Sequence, residues 1–173
     1  MGVVRSAVQG AAAGLAATAA MSGVMAAARE EGRVGRLPPK LLTRRFLPGG
    51  REYTPRPGEK LATAVAHGGF GAAAGAVFGV LTGGRPPRVR TGLAYGLGVW
   101  LASYEGWVPW VTVQPPAHRD APARAAVMAA AHLVYGCALA AVLRRMRRPR
   151  LSARTPVSGA DEDPRGPDAT AQG

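Results

Sequence analysis

Apolar positions in this chain come in whole blocks rather than in stripes. Four stretches, about 6–28, 61–82, 91–113 and 124–143, are almost free of charge, and basic residues mark their ends. Each is close to the roughly 20 residues an α-helix needs to cross a bilayer. The second to fourth show no polar stripe at helical period, which a helix of a soluble bundle would carry. The pattern therefore predicts an all-α, polytopic membrane protein with four transmembrane helices. The first two blocks are rich in Ala and Gly, so each is only marginally apolar and needs partner helices. The first has a basic start and many small residues, as a cleavable signal does. It lacks a compact Leu/Val-rich centre, so a retained helix is expected.

Spacing inside the blocks predicts how they pack. Gly10, Gly14, Thr18 and Ser22 stand at steps of four in the first, and His67, Gly71, Gly75 and Gly79 in the second. Ala94, Gly98, Ala102 and Glu105 share a face in the third, and His132, Gly136 and Ala140 in the fourth. Small residues at this spacing let helix backbones approach closely in lipid. A compact Gly/Ala-packed bundle is expected, with packing glycines Gly10, Gly14, Gly71, Gly75, Gly79, Gly98 and Gly136. Ala66-His67-Gly68-Gly69-Phe70-Gly71 echoes Ala131-His132-Leu133-Val134-Tyr135-Gly136, which suggests two duplicated hairpins, 1–82 and 91–143.

The polar residues of the blocks lie on these rows. With both termini on one side, Ser22 and His67 fall about 9 Å from the far boundary, and Glu105 and His132 about 12 Å. Ser22, His67, Glu105 and His132 thus form a candidate intramembrane polar cluster. An ionisable residue inside a span is costly and marks a functional site by default. Such a cluster would suit a proton relay or pH-sensitive latch, a divalent metal held by His67, His132 and Glu105, or haem held by two histidines. The plainer reading is hydrogen bonding across helices that fixes their packing. Pro109 supplies a further alternative, since a kink there would leave Glu105 at the interface beside Trp107 and Trp110.

Charge changes the picture at the ends. The 173 residues carry 22 Lys+Arg against 10 Asp+Glu, a formal net charge of +12. The cluster Arg144, Arg145, Arg147 and Arg148, directly after a membrane helix, predicts contact with anionic lipid head groups rather than nucleic acid. This cluster and the turn with Arg85, Arg88 and Arg90 favour both termini in the cytoplasm, although the basic loop 29–60 argues the opposite. Within that loop, 38–47 has the pattern of a short amphipathic helix lying on the bilayer. The transmembrane domain is expected over 1–148, and 149–173 reads as a disordered cytoplasmic tail. One Cys excludes an internal disulfide framework, and Cys137 reads as a small packing residue. No catalytic or phosphate-binding motif is present, so neither a catalytic residue nor a cofactor is expected. The absence of Ile and Asn and the preference for Arg over Lys suggest a GC-rich, bacterial coding bias.

Leu37-Pro38-Pro39 after the first helix, the His of the second, and His132-Leu133-Val134-Tyr135-Gly136 before an Arg cluster carry a resemblance. Over roughly 8–148 the layout resembles small bacterial inner-membrane proteins of unknown function, including YagU-like proteins. The resemblance implies the cytoplasmic membrane, both ends inside, and a loose link to acid tolerance. It supplies no catalytic residues. The expected function is that of a non-enzymatic structural or stress-related membrane component, with the bilayer as partner and a homodimer as the assembly that exposed glycine rows would support. The alternative is a small transporter or a proton-conducting, pH-sensing module built on the His/Glu cluster.

Overall fold

The computed structural model describes residues 2–31, 58–111 and 115–148. The expected interfacial helix at 38–47 and the tail at 149–173 lie outside them. Among the described residues every regular element is helical: α1 (Val3–Glu30), α2 (Glu59–Leu81), α3 (Val89–Leu101), α4 (Val108–Val111) and α5 (Pro122–Arg147). A π-helical turn, Ala102–Trp107, joins α3 to α4, and a 3-10 turn, Ala117–Arg119, precedes α5.

The helices run up, down, up, down. Gly83 and Gly84, at φ +56° and +77°, make the left-handed reversal after α2 that a side chain would disfavour. Pro109 accounts for the π turn. It has no N–H to offer the carbonyl four residues earlier, that of Glu105, and Gly106 absorbs the misfit at φ −90°, ψ −106°.

Two hairpins, α1–α2 and α3–α5, are each zipped along glycine. A methyl group on Gly10 would strike the Gly75 carbonyl, one on Gly14 the Gly71 carbonyl, and one on Gly79 the Ser6 carbonyl. In the second hairpin the crossing runs through Gly92 and Gly96 against Gly136, the His132 carbonyl and Ala140. This corrects the expected row: Gly98 has nothing within 4 Å of a Cβ placed on it and faces outward. The register repeats between hairpins. Gly14 meets Gly71 and Gly75, and Gly92 meets the corresponding Gly136 and Ala140.

The hairpins join where α1 turns a second face to α5. Ala13, Ala17, Met21 and Met25 pack with Met128, Ala131, Tyr135, Leu139 and Leu143. Outside this thin core the surface is greasy. Val3, Val8, Leu15, Leu61, Val65, Val77, Leu81, Leu101 and Trp110 are all exposed. An apolar surface this extensive belongs against lipid rather than water. Three helices, α1, α2 and α5, are long and apolar enough to cross a membrane. The chain has the build of a membrane protein.

Candidate functional site

His67 and His132 occupy corresponding places in the two hairpins, each one turn before the glycine of closest approach, Gly71 or Gly136. Close backbone contact at those glycines holds the helices together just where the imidazoles begin to need room. His132 Nδ1 donates to the Met128 carbonyl at 2.8 Å, and a carbonyl can only accept, so the proton sits on Nδ1 and Nε2 keeps its lone pair. His67 Nε2 is buried without a hydrogen-bond partner. Around them, Tyr135 donates to the Gly71 carbonyl at 2.8 Å, and the Thr18 hydroxyl to the Gly14 carbonyl at 2.8 Å. Ser22 lies one turn beyond Thr18 on α1 and is half-buried.

Glu105 is elsewhere. The π turn carries its side chain to the rim, where one carboxylate oxygen accepts the backbone N–H of His118 at 2.9 Å and the other meets His118 Nδ1 at 2.7 Å. Among the described residues no three His, Cys, Asp or Glu side chains stand together as a metal site. The three-ligand set of His67, His132 and Glu105 is therefore not assembled.

Arg147 also departs from expectation. It is only 8% exposed and reaches back into the bundle rather than out to lipid head groups. Nε donates to Gln9 at 3.2 Å, Nη1 to the Thr82 hydroxyl at 2.7 Å and the Arg85 carbonyl at 2.9 Å, and Nη2 to the Gly79 carbonyl at 3.0 Å. The guanidinium thus ties α1, the C-terminal end of α2, the turn after it and α5 together. The α2 dipole places partial negative charge at that end, which suits a cation there. Arg144, Arg145 and Arg148 remain exposed.

A model of DUF6789, a family of unknown function, matches residues 4–153. The chain belongs to this family. No curated protein and no solved structure matches it. The DUF6789 match covers the whole bundle, and it lends no support to the YagU-like resemblance. Membership in DUF6789 fits a membrane protein of unknown activity and goes no further.

Two residues of the DUF6789 chain do work that its sequence did not announce. His118 holds Glu105, and Asp120 closes the far end of the α3–α5 hairpin. The Asp120 side chain is 4% exposed; it accepts from the Tyr104 hydroxyl, pairs with Arg124 Nη1 at 3.1 Å and receives the Ala121 N–H at 2.7 Å. A carboxylate just before the first turn of α5 also faces the positive end of that helix. The signal for both was slight: two polar residues in a short connector after Pro115-Pro116.

Proposed function

We propose that this protein is a non-enzymatic component of a bacterial inner membrane that crosses it four times with both termini in the cytoplasm. In this reading α3 and the turn that extends it make the third crossing, and Arg144, Arg145 and Arg148 rest among anionic head groups. Its working part is the His67–His132 pair, which takes up and releases a proton inside the bundle. The observation that carries this is the buried, unpartnered Nε2 of His67, on a histidine that stands one turn before Gly71 as His132 stands one turn before Gly136. A buried polar atom left unpaired costs about 1–3 kcal/mol, so its retention calls for a use. The neighbouring elements bring Tyr95, Tyr104 and Glu105, the connector His118 and Asp120, α5 Arg124 and Tyr135, and α2 itself Glu59 and Lys60. At this height α1 brings only the hydroxyls of Thr18 and Ser22.

The test is proton flux into proteoliposomes under an imposed pH gradient. His67→Ala and His132→Ala should each abolish the flux, while Glu105→Gln, which alters only the rim contact with His118, should keep it. Flux that survives both histidine replacements rejects the reading. Absence of flux in the unaltered protein leaves the purely structural role, which the glycine crossings and the Arg147 clasp favour.

A further inference from the structure

The histidine pair is one member of a larger set. Among the described residues, four buried side-chain polar atoms have no hydrogen-bond partner: Thr63 Oγ1, His67 Nε2, Trp100 Nε1 and Arg124 Nε. They are not scattered. The Tyr135–Gly71 hydrogen bond sets α5 and α2 in register, and the Gly96–His132 approach does the same for α3 and α5. At 1.5 Å per residue, His67 lies about 6 Å above the Tyr135–Gly71 level toward the connector 115–121. Trp100 follows at about 10 Å, Thr63 at about 12 Å and Arg124 at about 16 Å by the same rise. Arg124 is itself anchored to Asp120 in that connector.

The other half of the bundle is different in kind. Phe78, Leu139 and Leu143 are fully buried there. The Phe78 and Tyr95 rings pack with centroids 4.8 Å apart, tilted by 40°, the Tyr95 hydroxyl donates to the Ala74 carbonyl at 2.6 Å, and Tyr135 is satisfied by Gly71. Below them the Arg147 clasp closes the end.

We propose that a file of water enters between α2, α3 and α5 from the face that carries residues 115–121 and ends at His67 and His132, with no continuation to the face that carries the termini. The chemistry selects water as the occupant. Trp100 Nε1 and Arg124 Nε can only donate, the Thr63 hydroxyl can donate or accept, and His67 Nε2 needs one or the other according to its tautomer. A molecule that both donates and accepts satisfies all four in sequence, and polar clefts of this kind hold ordered water. The heights of successive residues differ by about 2 to 4 Å, steps that one or two waters bridge. The inference deepens the proton reading by naming the side from which the pair is reached. It rests on that reading for its purpose but not for its test.

Accessibility decides it. In a Cys137→Ala background, Thr63→Cys is compared with Leu139→Cys from the dry half. A charged, membrane-impermeant methanethiosulfonate is applied to one face at a time of proteoliposomes of known orientation. Thr63→Cys should react at least tenfold faster from the 115–121 face than from the terminal face, and at least tenfold faster than Leu139→Cys. Equal rates from the two faces, or reaction from the terminal face alone, overturn the proposal. The unaltered protein gives a second readout that needs no substitution. In water-edited solid-state NMR of histidine-labelled protein, the rings of His67 and His132 should receive water magnetisation nearly as fast as exposed His118. Rings that stay dry overturn it. Proton flux is measured in neither arm, so a wet path without flux removes the proton reading alone.

Discussion

Arg147 is the single residue whose loss should be felt most widely. Its guanidinium gives four hydrogen bonds to groups on three other segments, and two of the acceptors are the backbone carbonyls of Gly79 and Arg85. Hydrogen bonds from charged groups are each worth about 1.5–3 kcal/mol, and truncation takes a donor from each acceptor. Arg147→Ala should therefore destabilise the bundle by about 2–4 kcal/mol, read as a shift of the unfolding midpoint in detergent. Lysine keeps the charge but lacks the planar fork, so Arg147→Lys should recover only part of the loss. Neighbouring Arg145→Ala, exposed at the same end, should leave the midpoint unchanged within about 0.5 kcal/mol. Equal effects at 145 and 147 would show that the clasp does not form.

Glycine decides the packing of the elements, and its effect depends on the face it occupies. Gly14→Ala would drive a methyl group into the Gly71 carbonyl and within 3.0 Å of the Gly75 Cα, and neither is a flexible side chain that can step aside. The hairpin must open, at a cost of about 1–3 kcal/mol. Gly98→Ala meets nothing and should be neutral or stabilising by up to about 1 kcal/mol, because alanine is the better helix former. Denaturant titration should show a lowered midpoint for Gly14→Ala and an unchanged or raised one for Gly98→Ala. Pro109→Ala tests the other special element. A restored N–H at 109 can bond the Glu105 carbonyl, so the π turn should tighten and draw Glu105 from His118. Amide exchange at His118, whose N–H now donates to Glu105, should then quicken.

The contrast between Gly14 and Gly98 also shows what could be read from the chain. The α1–α2 face was legible because Gly10, Gly14, Gly71, Gly75 and Gly79 form single rows with few competitors. In α3 two rows of small residues compete, Gly92–Gly96 and Ala94–Gly98–Ala102, and Glu105 lent weight to the second. The helix widens after Leu101, so that row does not continue to Glu105 as a regular helix would make it. The second face of α1, Ala13, Ala17, Met21 and Met25, was hidden because a uniformly apolar helix has no polar side to reveal which way it turns. His118 and Asp120 were hidden for another reason. A connector residue acquires its role from the helix ends that approach it, and spacing along one helix says nothing of that.

At the scale of the molecule the two ends of the bundle differ in charge. Among the described residues the terminal end carries Arg5, Arg85, Arg88, Arg90, Arg144, Arg145, Arg147 and Arg148 and no acid. The far end carries Arg29, Lys60, Arg119 and Arg124 among Glu30, Glu31, Glu59, Glu105 and Asp120. Basic residues flanking spans are retained on the cytoplasmic side, and their count in short segments weighs more than acids nearby. The basic residues of 32–57 pull the other way. The short turn at 85–90 and the run at 144–148 are compact, however, and sit directly against helix ends, where retention acts most strongly. The terminal end should therefore face the cytoplasm. A fluorescent protein fused to the C-terminus should glow, and alkaline phosphatase at the same place should stay inactive. A cysteine in place of exposed His118, with Cys137 replaced by Ala, should react with an impermeant maleimide in cells whose inner membrane is intact. The same orientation turns the proposed water file toward the periplasm, so the histidine pair would sense external rather than cytoplasmic pH. Replacing Arg85, Arg88 and Arg90 together by Gln removes the compact turn's contribution while sparing the Arg147 clasp's side-chain partners. It should convert a measurable fraction of molecules to the inverted topology, seen as phosphatase activity at the C-terminus. A wild-type chain that already shows that activity would reverse both the orientation and the side from which the histidines are reached.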